Sequence, residues 1–305
     1  MPSEFVPVID LSRRDTPSGR TTLAAEIGEA CTTSGFFAVV GHGVAPELID
    51  RVFTVTEGFF TAPEATKERS ANTGVGVSGL RRPDGVYEAF AAHVTGDLPE
   101  EEREALGTYP ATWKVANIWP DEKFKAVWHD YLAAMTDLST DVMRLFAMAL
   151  GLDEGFFDRK FDRHVSLLLA NYYLPRPEAG RLRRDAHTDW GSLTVLYVQD
   201  GAGGLQVRRG EDEWLDVPVV PGGFVVNIGD LMAFWTAGQW KSTVHRVLGP
   251  EPGDTATRIS IPYFHLPNHD APIEPIRAGG GAAAESVTVG EWFARKMRET
   301  YQASS

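Results

Sequence analysis

The chain of 305 residues is short of cysteine and of long apolar segments. Its one cysteine, Cys31, has no second cysteine with which to form an internal disulfide, and one thiol cannot build a zinc–thiolate site. No apolar run approaches the roughly 18–20 residues that a membrane-spanning helix needs. The first residues also lack the charged-then-apolar order of a signal peptide. We therefore expect a protein of the reducing cytoplasm.

Basic residues are also in deficit, since Lys and Arg number 29 against 42 Asp and Glu, which gives a formal net charge of −13. A surface this acidic repels phosphate backbones and anionic lipid headgroups. The composition therefore argues against nucleic-acid and membrane partners. Aromatic residues make up 10% of the chain, which argues against disorder and favours a globular protein with a large core.

The hydrophobic pattern changes from helical to strand spacing about halfway along the chain. Apolar residues follow helical spacing from Asp121 to Gly151, which predicts a long helix. Shorter helical patterns cover Thr22–Thr33 and Glu47–Phe60. The glycine-containing segment Ala71–Asp84 is predicted to be a mobile loop.

After about residue 164, seven segments rich in β-branched and aromatic residues are separated by Gly, Pro and Asp. They cover 166–174, 192–198, 204–209, 213–220, 223–235, 242–248 and 258–266. Successive strands without intervening helices cannot form a parallel βαβ sheet, so a sandwich or barrel is expected. A Gly/Ala-rich loop at 279–284 and an amphipathic helix over 287–301 are predicted to follow.

Two histidines and an aspartate in the β region have the spacing of a metal site. His187 and Asp189 are two apart, so in extended backbone their side chains leave on the same face, and His245 lies on a later predicted strand. Two imidazoles and a carboxylate on one face of a metal are typical of non-haem Fe(II) oxygenases. Zinc hydrolases use the same ligand types, but usually with a helical HExxH pair, which this sequence lacks.

A second set of polar residues predicts a receptor for a carboxylate. Arg258 and Ser260 are two apart on one strand, and a guanidinium beside a hydroxyl suits a carboxylate. Asn171 and Tyr173, on the strand before His187, offer an amide and a second hydroxyl at the same spacing. An oxo-acid held by this receptor would supply the electrons that oxygen activation at a metal requires.

These motifs, together with VPVIDLS at 6–12 and GFFAVVGHGV at 35–44, resemble the isopenicillin N synthase-like branch of the Fe(II)/2-oxoglutarate-dependent oxygenases. The resemblance spans about residues 5–275. It implies a mainly β fold with flanking helices, in which a double-stranded β-helix (jelly-roll) core carries an N-terminal helical region and a C-terminal helix. One compact domain would then comprise a region with the substrate lid (1–120), a long support helix and connection (121–163), the catalytic core (164–275) and the C-terminal helix (276–305).

The resemblance also implies a role for each residue of the two polar sets. The residues that it implies as iron ligands are His187, Asp189 and His245. Around the cosubstrate 2-oxoglutarate it implies four residues, the first three at the C5 carboxylate and the last near the C1 end: Arg258, Ser260, Tyr173 and Asn171.

The activity implied by the resemblance is oxidation of an unactivated C–H bond in a small metabolite, in specialised metabolism. The family couples hydroxylation, desaturation or cyclisation to the oxidative decarboxylation of 2-oxoglutarate by O₂, which releases succinate and CO₂. Ascorbate is expected as a supporting reductant. We expect a small-molecule substrate and a monomer or weak homodimer.

Five further residues are candidates for contact with the substrate. Arg81, Arg82 and Tyr87 fall where the family's variable substrate-covering segment lies. Paired arginines are usually solvated surface charge, whereas their functional interpretation is contact with a carboxylate or another polar group of the substrate. Trp190 and Phe264 either line the pocket or pack in the core.

Two alternative functions stay open at this point. Oxidases of the isopenicillin N synthase and ethylene-forming type share the triad and the Arg-x-Ser pair but do not use 2-oxoglutarate; the Asn171 to Tyr173 segment favours 2-oxoglutarate without deciding between them. A catalytically silent jelly-roll binding protein is the other alternative. The intact triad and carboxylate receptor argue against it.

Overall fold

The computed structural model describes residues 5–72, 74, 76–83, 87–106, 111–174, 182–199, 203–249, 256–276 and 286–303. The strands are β1 Val8–Asp10, β2 Phe36–Val40, β3 Gly79–Arg81, β4 Tyr87–His93, β5 Leu167–Tyr173, β6 Arg184–His187, β7 Leu193–Val198, β8 Leu205–Arg209, β9 Glu213–Asp216, β10 Phe224–Ile228, β11 His245–Val247, β12 Arg258–His265, β13 Pro272–Ile273 and β14 Val287–Thr288. The α-helices are α1 Pro17–Thr33, α2 Pro46–Phe60, α3 Glu64–Lys67, α4 Glu100–Glu104, α5 Glu122–Ala149, α6 Asp230–Trp235 and α7 Val289–Ala303.

Two β-sheets form the centre of the fold. The large sheet has eight strands in the order β1-β2-β10-β7-β12-β5-β4-β3, and the small sheet has four in the order β6-β11-β8-β9. An apolar cluster joins the two sheets, with Phe36 of β2 and Val225 of β10 contributed by the large sheet and Val207 and Val247 by the small one. This is the jelly-roll core with flanking helices that the sequence predicted.

Helices cover the other face of the large sheet. The predicted long helix is confirmed as α5, which begins after Asp121, whose side chain accepts a hydrogen bond from the backbone N–H of Phe124 at 2.8 Å. A hydrogen bond of 2.9 Å between Thr136 of α5 and the Tyr263 hydroxyl of β12 connects this helix to the sheet. The two shorter helices predicted in the first half are also present, as α1 and α2.

Four strands in the first half of the chain were not predicted as strands. Strands β1 to β4 all belong to the large sheet, and β2 lies between β1 and β10. Residues Phe36–Val39 are all buried, so the segment lacks the alternation of polar and apolar residues that marks a half-exposed strand. The prediction of Ala71–Asp84 as a loop is also wrong in part, because β3 lies within it and Leu80 is buried.

The segment 223–235, predicted as one strand, is a strand followed by a helix. Strand β10 ends at Ile228, and α6 begins at Asp230. The chain changes direction at Gly229, where a Cβ atom would lie 2.4 Å from the backbone oxygen of Gly191. Only glycine allows this close approach of two backbones. Strand β10 therefore ends where its backbone crosses that of Gly191, in the segment after β6. The predicted loop 279–284 lies outside the described residues.

Cys31 lies on α1 as a buried free thiol. Burial raises the pKa of its thiol, which keeps the group protonated and unreactive. Among the described residues, no helix combines the length and the apolar character needed to cross a membrane.

Candidate active site

Three side chains that can donate to a metal converge at one end of the two sheets. His187 of β6 and His245 of β11 are paired across antiparallel strands. Asp189 follows β6, and its Oδ1 lies 3.9 Å from His187 Nε2 and 3.8 Å from His245 Nε2. One donor atom from each residue lies within 4.8 Å of the others. The structure therefore brings together the three residues that the sequence spacing singled out.

Backbone carbonyls orient both imidazole rings. The Nδ1–H of His187 donates to the carbonyl of Asp185 at 2.7 Å, and the Nδ1–H of His245 donates to that of Thr243 at 3.2 Å. This tautomer leaves each Nε2 lone pair directed at the shared site, which is how ligating histidines are usually oriented. Burial lowers the pKa of His187 to about 4, with His245 adding to the effect, so the ring is neutral and able to ligate at pH 7.

The two oxygens of the Asp189 carboxylate have different environments. Oδ2 accepts hydrogen bonds from the Thr194 hydroxyl at 2.6 Å and from the Asn227 amide at 2.8 Å. Burial alone would raise the pKa of Asp189, but the neighbouring His245 and His187, followed by these two hydrogen bonds, hold it below its ordinary value. The carboxylate is therefore ionised, and Oδ1 is left to face the two imidazoles.

The chemistry of this donor set fits Fe(II). Two imidazole nitrogens and one carboxylate oxygen, all from one side, match the facial arrangement of non-haem Fe(II) sites. The described part of the chain brings no thiolate to the site, since its cysteine is buried in α1. His187, Asp189 and His245 could thus hold one divalent ion and leave its other positions open.

The four residues of the predicted carboxylate receptor also lie together. Strands β5 and β12 pair so that Arg258 lies opposite Tyr173 and Ser260 opposite Asn171. Arg258 is only 1% exposed, and its guanidinium carbon lies 5.5 Å from the centre of the Tyr173 ring. Burial lowers the pKa of Arg258 and raises that of Tyr173, so the site presents a cation and two neutral hydroxyls.

Alternation along the strands places this receptor on the face of the large sheet that points toward the metal-binding residues. Phe264, six residues after Arg258 in β12, shares the face of Arg258 and lies opposite Thr194 of β7. Thr194 in turn holds Asp189. Half-buried Phe264 therefore lies on the face that lines the site.

The structure separates the two adjacent arginines of the predicted substrate segment. By the strand pairing, Arg81 lies on the same face as the receptor, whereas Arg82 forms ion pairs with Glu64, Glu68 and Glu88. Glu88 is the neighbour of Tyr87 on β4 and points to the opposite face of the sheet. This position argues against the predicted contact between Arg82 and the substrate, because three glutamates hold its guanidinium on the helical side.

Trp190 packs against the C-terminal helix. Its backbone oxygen accepts a hydrogen bond from the Trp292 ring N–H at 3.0 Å, and its ring lies 6.3 Å from that of Phe293. Both partners belong to α7. The structure thus places Trp190 between the metal-binding segment and this helix.

Sequence reasoning missed a carboxylate that ties the metal-binding segments together. Asp230 accepts hydrogen bonds from Thr188 at 3.1 Å and Ser242 at 2.6 Å, and Lys296 of α7 donates to it at 2.8 Å. Its backbone N–H also bonds to the carbonyl of Asp189 at 2.7 Å. The signal available in the sequence was a pair of polar residues, Asn227 and Asp230, inside an otherwise apolar run.

Two family descriptions match the chain. Residues 164–267 match the 2OG-Fe(II) oxygenase superfamily, and residues 6–122 match the N-terminal region of a non-haem dioxygenase in morphine synthesis. The chain is 34% identical to validamycin A dioxygenase of Streptomyces hygroscopicus subsp. limoneus, over 95% of this chain and 85% of that protein. It is 31% identical to a homoarginine-6-hydroxylase of Oryza sativa subsp. japonica, over 97% of this chain and 98% of that one.

Solved structures show the same fold along almost the whole chain. A full-length Neurospora crassa protein solved in complex with alpha-KG aligns with a TM-score of 0.84 at 27% identity, covering 98% of both chains. A rice dioxygenase for auxin oxidation aligns with a TM-score of 0.77 at 26% identity, covering 97% of this chain and 96% of that chain.

Replacing Thr194 by valine should weaken metal binding without disturbing the fold. Valine keeps the shape of threonine but removes the hydroxyl that holds Asp189 Oδ2, and loss of such a partner typically costs about 10- to 100-fold in metal affinity. Titration of the metal-free protein with Co(II), followed by calorimetry, measures the change. Thr140→Val on α5 is the matched control, since its hydroxyl bonds only to the helix backbone. Equal affinities for the two variants would contradict the assignment.

Proposed function

Because the chain belongs to the 2OG-Fe(II) oxygenase superfamily, we propose that His187, Asp189 and His245 bind its Fe(II). The protein is a 2-oxoglutarate-dependent oxygenase of a small metabolite and requires Fe(II), 2-oxoglutarate and O₂, as the sequence predicted. When bound, the iron and the cosubstrate supply an oxidant able to attack an unactivated C–H bond. The chain's own residues bind, orient and enclose the reactants.

One observation carries this proposal, namely the convergence of two imidazole Nε2 atoms and one carboxylate oxygen. His187 and His245 are held in the required tautomer by backbone carbonyls, and Asp189 is held by Thr194 and Asn227. Because the protein's own hydrogen bonds fix the three donors, little reorganisation is needed for metal binding.

We further propose that the C5 carboxylate of 2-oxoglutarate binds to Arg258 and Ser260. The fully charged fork of Arg258 can bind both oxygens, and its burial strengthens the attraction. Tyr173 is placed to donate its hydroxyl to the same carboxylate, and Asn171, opposite Ser260, is assigned to the C1 end. Binding in this way fixes the cosubstrate on the face of β12 that carries Arg258 and Ser260, which we call the inner face of the sheet.

On the substrate side, the proposal assigns Arg81, Tyr87 and Phe264 to the lining of the pocket, because they share the receptor's face of the sheet. Trp190 is assigned to its wall, where α7 covers it. The relatives named above are described as acting on validamycin A, homoarginine and auxin, which supports a small metabolite as substrate. We propose a monomer or weak homodimer, and the acidic composition and single cysteine support a cytoplasmic protein without nucleic-acid or membrane partners.

Release of succinate decides between this function and the two alternatives. Product formation that depends on 2-oxoglutarate and yields equivalent succinate is expected. Product without 2-oxoglutarate would favour an oxidase of the isopenicillin N synthase type. Failure to form a visible charge-transfer band with Fe(II) and 2-oxoglutarate under anaerobic conditions would favour a silent binding protein.

Replacing His187 or Asp189 by alanine should abolish both turnover and stoichiometric iron binding. Each change removes one of three donors and leaves the ion without a facial set. Iron content by elemental analysis and 2-oxoglutarate-dependent succinate release are the measurements. The control is His129→Ala, because His129 lies on α5 and is bound to Asp97. A variant that keeps normal turnover would remove its residue from the triad.

Replacing Arg258 by glutamine should raise the 2-oxoglutarate concentration needed for half-maximal turnover by about 10- to 100-fold. Hydrogen bonds to a charged partner contribute about 1.5–3 kcal/mol, which is the free energy lost. Arg51→Gln is the control, since Arg51 is an exposed residue paired with Asp130 on the helical side. An unchanged requirement in the Arg258 variant would show that another residue binds the C5 carboxylate.

A further inference from the structure

Tyr87 lies on the solvent side of the proposed 2-oxoglutarate residues. Strand β4 pairs with β5 so that Tyr87 is opposite Tyr173, and the two ring centres are 5.5 Å apart. Tyr173 is in turn opposite Arg258 on the next strand. The three side chains therefore share one face of the sheet, and half-buried Tyr87 is the most exposed of them.

A β-bulge directs Arg184 to the same place. His187 pairs with His245 and Arg184 pairs with Val247, so three steps along β6 correspond to two along β11. In a regular strand an odd number of steps would put Arg184 on the face opposite to His187, and the additional residue of the bulge reverses this. The Arg184 guanidinium donates a hydrogen bond of 3.2 Å from Nη1 to the Tyr87 hydroxyl. The strand that carries His187 is thus joined to the strand that carries Tyr87.

Arg81 supplies a second cation beside Tyr87. It lies opposite Ala89 in β4, which makes it a diagonal neighbour of Tyr87 on the same face, within reach of a long side chain. Arg81 and Arg184 are both exposed, and within the described residues neither forms an ion pair with a carboxylate. Arg82, the next residue along the chain, shows the opposite behaviour, with three glutamates around it.

The local charge here is opposite in sign to that of the protein as a whole. A formal net charge of −13 repels anions from the surface in general. Arg184 nevertheless places a positive charge near both the metal-binding residues and the proposed 2-oxoglutarate residues. It lies three residues before His187 on β6, and its guanidinium contacts the hydroxyl of Tyr87, whose ring centre is 5.5 Å from that of Tyr173. An anion at Arg184 would therefore be within electrostatic reach of the metal-binding residues.

We propose that Arg81, Tyr87 and Arg184 form a receptor for a carboxylate group of the substrate, so that the enzyme selects small anionic metabolites. The inference rests on the proposed function, since it requires 2-oxoglutarate to occupy Arg258 and Ser260 instead. An arginine fork matches the two coplanar oxygens of a carboxylate. The Tyr87 hydroxyl accepts from Arg184 and can donate its own proton to the bound group. The rest of the substrate then extends along the inner face toward His187.

The affinities of matched acids and amides test whether Arg81, Tyr87 and Arg184 bind a carboxylate. The probes are phenylacetate and hexanoate, each compared with its own amide, together with phenyl phosphate. They are titrated by calorimetry into the enzyme loaded anaerobically with Fe(II) and 2-oxoglutarate. We expect the acids to bind the unaltered protein at least about tenfold more tightly than the amides. Arg184→Gln and Arg81→Gln should each weaken binding of the acids by about 10- to 100-fold and leave the amides unchanged.

Two controls separate this inference from the proposed function. Arg51→Gln removes the same charge on the helical side and should leave all probes unaffected. The affinity for 2-oxoglutarate and the visible Fe(II) charge-transfer band should be unchanged in both receptor variants. Tyr87→Phe should give an intermediate loss for the acids, because Arg184 keeps its charge but loses its hydrogen-bond partner.

Several outcomes would contradict the proposal that Arg81, Tyr87 and Arg184 bind a substrate carboxylate. The first is an acid that binds the unaltered protein no better than its amide, undetectable binding included. The second is preferential binding of phenyl phosphate with no acid preference. The third is a tenfold loss of 2-oxoglutarate affinity in Arg184→Gln, which would assign Arg184 to the cosubstrate and leave the proposed function intact. Absence of the band in the unaltered protein would overturn the proposed function and this inference with it.

Discussion

The site depends on how the carboxylate of Asp189 is divided between two tasks. One oxygen is fixed by Thr194 of β7 and Asn227 of β10, and the other faces the imidazoles of the small sheet. A buried carboxylate is costly unless its lone pairs are satisfied. The large sheet provides that compensation, and the small sheet provides the histidines. The jelly roll therefore brings residues of two sheets to within reach of a single ion.

Asp230 extends this arrangement to the C-terminal helix. Its carboxylate is hydrogen-bonded to Thr188 and Ser242, which belong to the segments carrying the aspartate and the second histidine. Lys296 and Trp292 of α7 then contact Asp230 and the backbone of Trp190. Because both metal-binding segments and the helix share these contacts, a displacement of α7 would be transmitted to the ligands directly.

The sequence predicted chemistry better than it predicted strands. The Arg258 and Ser260 pair could be recognised because alternation along a strand fixes which side chains share a face. The triad could be recognised because His187 and Asp189 are two residues apart where β6 ends, and His245 lies on a later strand. Strand β2 could not, because burial on both faces removes the alternation. The same limit applies to Arg184, since an alternating pattern does not reveal the bulge that turns its side chain toward Tyr87. The roles of Arg81 and Arg82 diverge for a related reason, since adjacent strand residues point to opposite faces.

The position of β2 has a consequence for how the protein is made. Phe36 pairs with Asn227, the residue that holds Asp189, and its ring lies 5.3 Å from that of His245. Strand β2 therefore cannot pair with β10, and the sheet cannot close, until the last third of the chain is present. Such distant pairings form slowly, because the entropy of a long stretch of chain is lost before any contact between the strands compensates for that loss. A nascent chain on the ribosome consequently has no place for the ion until β10 and the strand that carries His245 have been made.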